Sequence, residues 1–151
     1  MTTQPEHQTV VVGIEGGRGS RKAIKLAAQE ARYRGAPLIA VMAYSGERAV
    51  APAVRPVATL RAAGEERLVA ESALRDAVVD ALGEDAVRVE LRTVLGLAGR
   101  NLIDTARRVN AQLIVLAGRG SASMLLGTVS QYVLRKAPCP VLVVPEADRD
   151  G

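Results

Sequence analysis

Apolar residues along the chain change their spacing in a regular order. Thr9 to Ile14 reads TVVVGI, a β-branched run that ends in glycines, which predicts a strand running into a turn. From Ser20 the period becomes helical, with Ala23, Leu26, Ala27, Glu30 and Ala31 in step. Ser20 suits the N-cap, and Gly35 and Pro37 end that helix. Leu38 to Tyr44, LIAVMAY, reads as a second buried strand. Ser45 to about Thr59 contains Gly46, Pro52 and Pro56 and reads as an irregular loop, long for such a connection. A helix follows from Leu60 to Leu82, with Leu60, Leu68, Ser72, Arg75 and Val79 near one spacing and Leu74, Ala77, Val78 and Ala81 widening the apolar face.

Val87, Val89, Leu91 and Thr93 alternate with Arg88, Glu90 and Arg92, the pattern of a strand with one wetter face near a sheet edge. Leu95 to Gly99 turns the chain. Asn101 to Val109 is expected to be a helix with Leu102, Ile103, Ala106 and Val109 facing the sheet. Gln112 to Ala117 reads as a central strand. A glycine-punctuated loop, Gly118 to Gly127, leads to a helix from Thr128 to Lys136. Ala137-Pro138-Cys139-Pro140 breaks it, and Val141 to Val144 forms the last strand. Strands alternating with helices in this order predict an α/β fold: one open parallel sheet of five strands, helices on both faces, joined by right-handed crossovers. The pattern alone leaves the strand order open. One domain is expected over 9–145, with polar tails at 1–8 and 146–151.

Composition supports that architecture. The 151 residues include no Phe and no Trp, so Val, Leu, Ile and Ala must build the core. The net charge of +4 is small, and neither a basic cluster nor an interleaved aromatic set for nucleic acid is evident in the sequence. A single cysteine excludes an intrachain disulfide and suits a reducing compartment. No apolar run approaches the roughly 20 residues of a membrane span, and Met1 to His7 has no signal-like apolar core. A cytoplasmic location, with no membrane or nucleic-acid partner, is the expectation.

Two glycine-rich turns fall at strand ends, where open α/β sheets bind ligands. Neither has the Gly, four residues, Gly-Lys-Ser/Thr order of a Walker loop. Gly16 to Ser20 carries a weak signal, since glycines after strands often only turn the chain. The second turn says more. The glycines of Gly118 to Gly127 let backbone N–H groups approach an anion closely, and Thr128 and Ser130 fall at a helix start, where phosphate is attracted. Arg119, Gly120 and Val129 lie in the same stretch. On chemistry alone, Thr128 or Ser130 serves equally well as a helix cap.

The stretch AQLIVLAGRG…MLLGTVSQYVLRKAPCPVLVV resembles the C-terminal half of a universal stress protein of the UspA type. TVVVGIEGGRGSRKAIKLA resembles that family's first strand and helix, and Val94-Leu95-Gly96 with Ala98 resembles its turn after the third strand. The resemblance implies a Rossmann-like sheet (adenine nucleotide alpha hydrolase-like) of order 3-2-1-4-5. It also implies a homodimer pairing through Val141 to Val144, and, in many members, bound ATP or a related adenine nucleotide with Mg2+. The family's Asp beside ribose and metal-bound phosphate corresponds to Glu15 here. The strand end that meets adenine through its backbone corresponds to Ala43.

The family's loop runs Gly-x-x-Gly-x9-Gly-Ser/Thr, and its close matches Gly127-Thr128. Its opening differs: Ala117 replaces the first Gly, Arg119-Gly120 matches, and the segment from Ser121 to Leu126 is about three residues short. Ala117 fits at negative φ and is strained at positive φ. Arg119 offers direct charge compensation to a phosphate. An altered nucleotide site, a dimeric interaction module without nucleotide, and a slow ATP hydrolase therefore all stay open. Dedicated hydrolysis lacks a base other than Glu15. His7 lies in the polar tail, Cys139 reads as a buried structural thiol, and no metal-ligand set is evident. The alternating charges of Glu65, Glu66, Arg67, Glu71, Arg75 and Asp76 read as a solvated helix face.

Overall fold

The computed structural model describes residues 8–15, 19–45, 56–118 and 127–145. The elements in chain order are β1 (Val10–Gly13), α1 (Gly19–Arg34), β2 (Leu38–Tyr44), α2 (Pro56–Leu82), a 3-10 helix (Gly83–Arg88), β3 (Val89–Leu95), α3 (Ala98–Arg108), β4 (Leu113–Ala117), α4 (Thr128–Lys136) and β5 (Val141–Val144). The strands form one parallel sheet in the order β3-β2-β1-β4-β5. That is the order implied by the family resemblance.

β1 lies at the centre, paired with β2 from Val10↔Leu38 to Gly13↔Val41 and with β4 from Val10↔Leu113 to Gly13↔Leu116. Its continuous apolar run reflects burial on both faces. Val10 and Val12 pack with Ala23, Ile24 and Ala27 of α1 and Leu74 and Val78 of α2. Val11 packs on the opposite face with Leu102, Ile103 and Ala106 of α3 and Val133 of α4. Gly13 lets α3 approach: a Cβ there would meet Leu102 Cδ1 at 2.7 Å and Leu116 Cδ2 at 2.8 Å.

The edge strands differ as the sequence pattern requires. β3 is wetter, with Glu90 and Leu91 exposed and Arg92 half-buried. Arg92 pairs with Glu90 at 3.1 Å. Val87 falls outside this strand, in the 3-10 helix, and is 89% exposed. The alternation was therefore read two residues too early.

Helix starts moved in the same way. Ser20 is not a cap: it lies inside the first turn of α1 and is buried. α2 begins at Pro56, so Pro56 to Thr59 belong to helix, not loop. Proline suits a first helical position because the N–H it lacks would have had no intrahelical partner. α3 begins at Ala98, three residues before the expected start.

The buried face of α2 is also different. Leu68, Ser72, Arg75 and Val79 are exposed, whereas Leu74, Val78 and Ala81, expected only to widen the apolar face, form its centre with Ala70 and face the sheet. The Arg67–Glu71 pair at 2.9 Å confirms a solvated charged side. Leu74→Ala should lower the unfolding free energy by about 2–5 kcal/mol, the cost of a core cavity. Leu68→Ala should change it by no more than about 0.5 kcal/mol. Urea titration of both variants measures the contrast, and equal effects would refute this orientation.

Candidate functional site

The strand order reverses between β1 and β4. β1 leads to α1 on one face of the sheet, and β4 leads to α4 on the other. Chain leaving two adjacent strands in opposite directions opens a crevice at their carboxyl ends. Glu15 follows β1 at this edge and is exposed. Ala43, near the end of neighbouring β2, is half-buried and in register with Val94.

The turn after β3 is fixed beside Ala43. Gly96 N–H donates to Tyr44 O at 2.9 Å. Asn101 Nδ2 donates to Leu95 O at 3.2 Å. Gly96 has φ of 122°, which disfavours any side chain. The sequence pattern marks Asn101 only as a helix start. Its polar side chain five residues beyond a turn glycine was the available signal for this tie.

The exit of β4 separates residues that the motif had grouped together. Ala117 ends the strand without positive φ, so the alanine fits there unstrained. Gly118 is buried, and its N–H donates to Val144 O at 2.7 Å. That amide extends the sheet ladder and is not a phosphate donor. Arg119, Gly120 and Ser121 to Leu126 lie outside the described residues, as do Gly16 to Arg18, His7 and the C-terminal tail.

Gly127, not Thr128 or Ser130, occupies the N-cap of α4, and among the described residues no side chain caps the helix. The first intrahelical bond runs from Gln131 N–H to Gly127 O at 3.0 Å. The backbone N–H groups of Gly127, Thr128, Val129 and Ser130 therefore have no partner within the helix. Thr128 is exposed and Ser130 is buried. Together these donors and the helix dipole make a positive end at the carboxyl edge of β4. In spatial order the edge presents Ala43, Glu15 and then the amino end of α4.

Among the described residues, no group of His, Cys, Asp and Glu could hold a metal ion, and no helix is long and apolar enough to cross a membrane. Cys139 is half-buried rather than buried. Burial raises its thiol pKa above the ordinary value, opposed by a hydrogen bond with the Ile114 backbone. The thiol is therefore a poor nucleophile at neutral pH.

Residues 6–145 match the sequence pattern of the Universal stress protein family. The chain belongs to this family. It is 36% identical over 152 aligned positions to a universal stress protein of Mycobacterium tuberculosis, covering 95% of this chain and 47% of that protein. The chain thus spans about half the length of the first curated relatives it matches. The structure of UspA from Lactobacillus plantarum superposes with a TM-score of 0.73 at 23% identity, covering 93% of this chain and 99% of that one. A universal stress protein in complex with cAMP superposes with a TM-score of 0.59 at 30% identity, covering 95% and 100% respectively.

The hydrogen-bond assignments at this edge of the universal stress protein domain can be checked by amide exchange. Without ligand, the Gly118 amide should exchange slowly, as part of the ladder. The amides of Thr128 and Val129, outside any helical bond, should exchange orders of magnitude faster. Rapid exchange at Gly118 in NMR spectra would refute its bond to β5.

Proposed function

We propose that this universal stress protein domain binds an adenine nucleotide at the carboxyl edge of its sheet. The observation that carries the reading is the uncapped amino end of α4, where four consecutive backbone N–H groups lack helical partners at the carboxyl end of β4. The Ala43 backbone would meet adenine, Glu15 would face the ribose, and Gly127 to Ser130 would take the phosphates. A relative at 30% identity over nearly the whole chain was solved in complex with cAMP, which supports an adenine ligand. ATP is the nucleotide proposed here, with Mg2+ balancing its charge.

The protein is read as a cytoplasmic homodimer. β5 is a sheet edge whose Val141, Leu142 and Val143 remain half-buried in the single chain. An apolar edge of this kind is a template for pairing with a second strand. One observation favours the rival reading, a dimeric module without nucleotide: the Gly118 amide is already engaged by Val144. Slow ATP hydrolysis is the least supported reading, because it would rest on Glu15 alone as general base.

Gly127→Asp separates binding from folding. Gly127 has φ of −73°, which any residue adopts. The new carboxylate would cap the donors that phosphate needs and repel the ligand. Calorimetry with ATP and magnesium should show saturable binding to the parent protein. Affinity should fall by more than about ten-fold in the variant, while thermal stability holds or rises by a few tenths of a kcal/mol. No heat at millimolar nucleotide would refute the proposal.

Sedimentation should give a dimer at micromolar concentration. Val143→Lys should shift it toward monomer, since an edge lysine discourages strand pairing. A parent protein that sediments as monomer would refute the dimer.

A further inference from the structure

A second surface lies between α3 and α4. Leu97, Gly99, Arg100, Thr128, Val129 and Tyr132 line a cleft of about 290 Å3. The helices come this close because Gly99 has no side chain. A Cβ there would meet Tyr132 Cδ1 at 2.8 Å. Leu97 stands at the rim, 73% exposed. The cleft falls just under the about 300 Å3 at which small-molecule sites begin. It suits one or two aliphatic side chains better than a whole nucleotide.

Charge on the same two helices is one-sided. α3 and α4 carry Arg100, Arg107, Arg108, Arg135 and Lys136 against one carboxylate, Asp104. All six are exposed. The ion pairs among the described residues use Arg21, Arg32, Arg34, Arg67 and Arg92 and reach none of these five cations. Arg100, Arg107 and Arg108 also recur at helical spacing along α3. An apolar cleft therefore opens at the head of a cationic stripe that no ion pair among the described residues neutralises.

We infer that the α3–α4 face docks an acidic segment of a partner protein. An aliphatic side chain of that segment fills the cleft, and its carboxylates lie along the arginines. Charge complementarity selects the acidic partner. The apolar cleft selects a peptide over single-stranded nucleic acid, which would call for exposed aromatic platforms. Tyr132 offers none, because its ring is half-buried against Gly99. The inference does not rest on a bound nucleotide: Thr128 and Val129 border both surfaces, but the arginines and Leu97 that the test alters lie outside the nucleotide site.

The test is selection of a bead-displayed library of randomised dodecapeptides on the full chain, followed by fluorescence anisotropy of the winners. Enriched peptides should combine several Asp or Glu with a large aliphatic residue. Their affinity should fall by about ten-fold in R100E/R107E and in L97D, rise at low salt, and survive in R100K/R107K. Near-UV circular dichroism and the melting temperature check that each variant is folded; the altered residues are solvent-exposed.

Failure to enrich any peptide overturns the inference. So does enrichment without acidic residues, or binding unchanged in R100E/R107E. Equal affinity for peptides whose aliphatic residue is replaced by serine shows charge attraction without docking, and overturns it too. Tighter binding of labelled oligothymidine, or of phosphatidylserine vesicles, than of the best peptide assigns the face to nucleic acid or membrane instead.

Discussion

Burial of β1 on both faces sets the position of every other element. Val10, Val11 and Val12 are wholly inaccessible, and each contributes about 1.5–3 kcal/mol relative to exposure. A strand with no wet face needs a neighbour on each edge and a helical layer on each side. β2 and β4 supply the first, and the pairs α1–α2 and α3–α4 supply the second. Gly13 matters because it ends this strand where α3 presses closest. The crevice follows from the same arrangement: chain leaving β1 and β4 must turn to opposite layers, and nothing in the sheet fills the gap between them.

What stands at that gap is backbone more than side chain. The amino end of α4 offers N–H groups whose direction is fixed by the helix, so no rotamer entropy is lost in presenting them. A serine or aspartate at position 127 would satisfy one of these donors internally. Glycine leaves them open at a cost of only a few tenths of a kcal/mol relative to the best caps. That is a small loss of helix stability for an anion-receptive end. The Gly118 amide shows the opposite allocation, since the sheet has already taken it.

The sequence was legible where two signals coincided. The bounds of β2, α4 and β5 emerged as expected because an apolar run or helical period met a clear Gly or Pro boundary. Strand order came from the family resemblance, since spacing along the chain carries no information about which strands pair. The face of α2 is legible only in part: Leu74, Val78 and Ala81 stand where the pattern puts apolar residues, but half of the described buried positions are alanines that mark the face weakly. Large residues such as Leu68 and Val79 drew the stripe toward solvent. Ser20 and Val87 were misplaced for a different reason: helix starts and 3-10 turns depend on backbone geometry that residue type only loosely constrains. Within the site, Gly127 to Ser130 could be read from the motif, but the fate of the Gly118 amide could not. Its partner, Val144, lies 26 residues further along the chain, and only the pairing of β4 with β5 brings them together.

That pairing ties the edge of the sheet to the entry of the loop. Val144 closes β5 and is itself buried, with its carbonyl holding Gly118 at 2.7 Å. Whatever covers the outer edge of β5 therefore bears on the strand that anchors the start of the loop. At the far end of the loop, α4 carries Thr128 and Val129, whose amides face the crevice edge and whose residues also line the α3–α4 cleft. The loop is thus bounded by two elements that each present a second surface, β5 at one end and α4 at the other. In so small a domain, a ligand at the loop and a partner at either surface act on shared backbone, so their binding free energies cannot be fully independent.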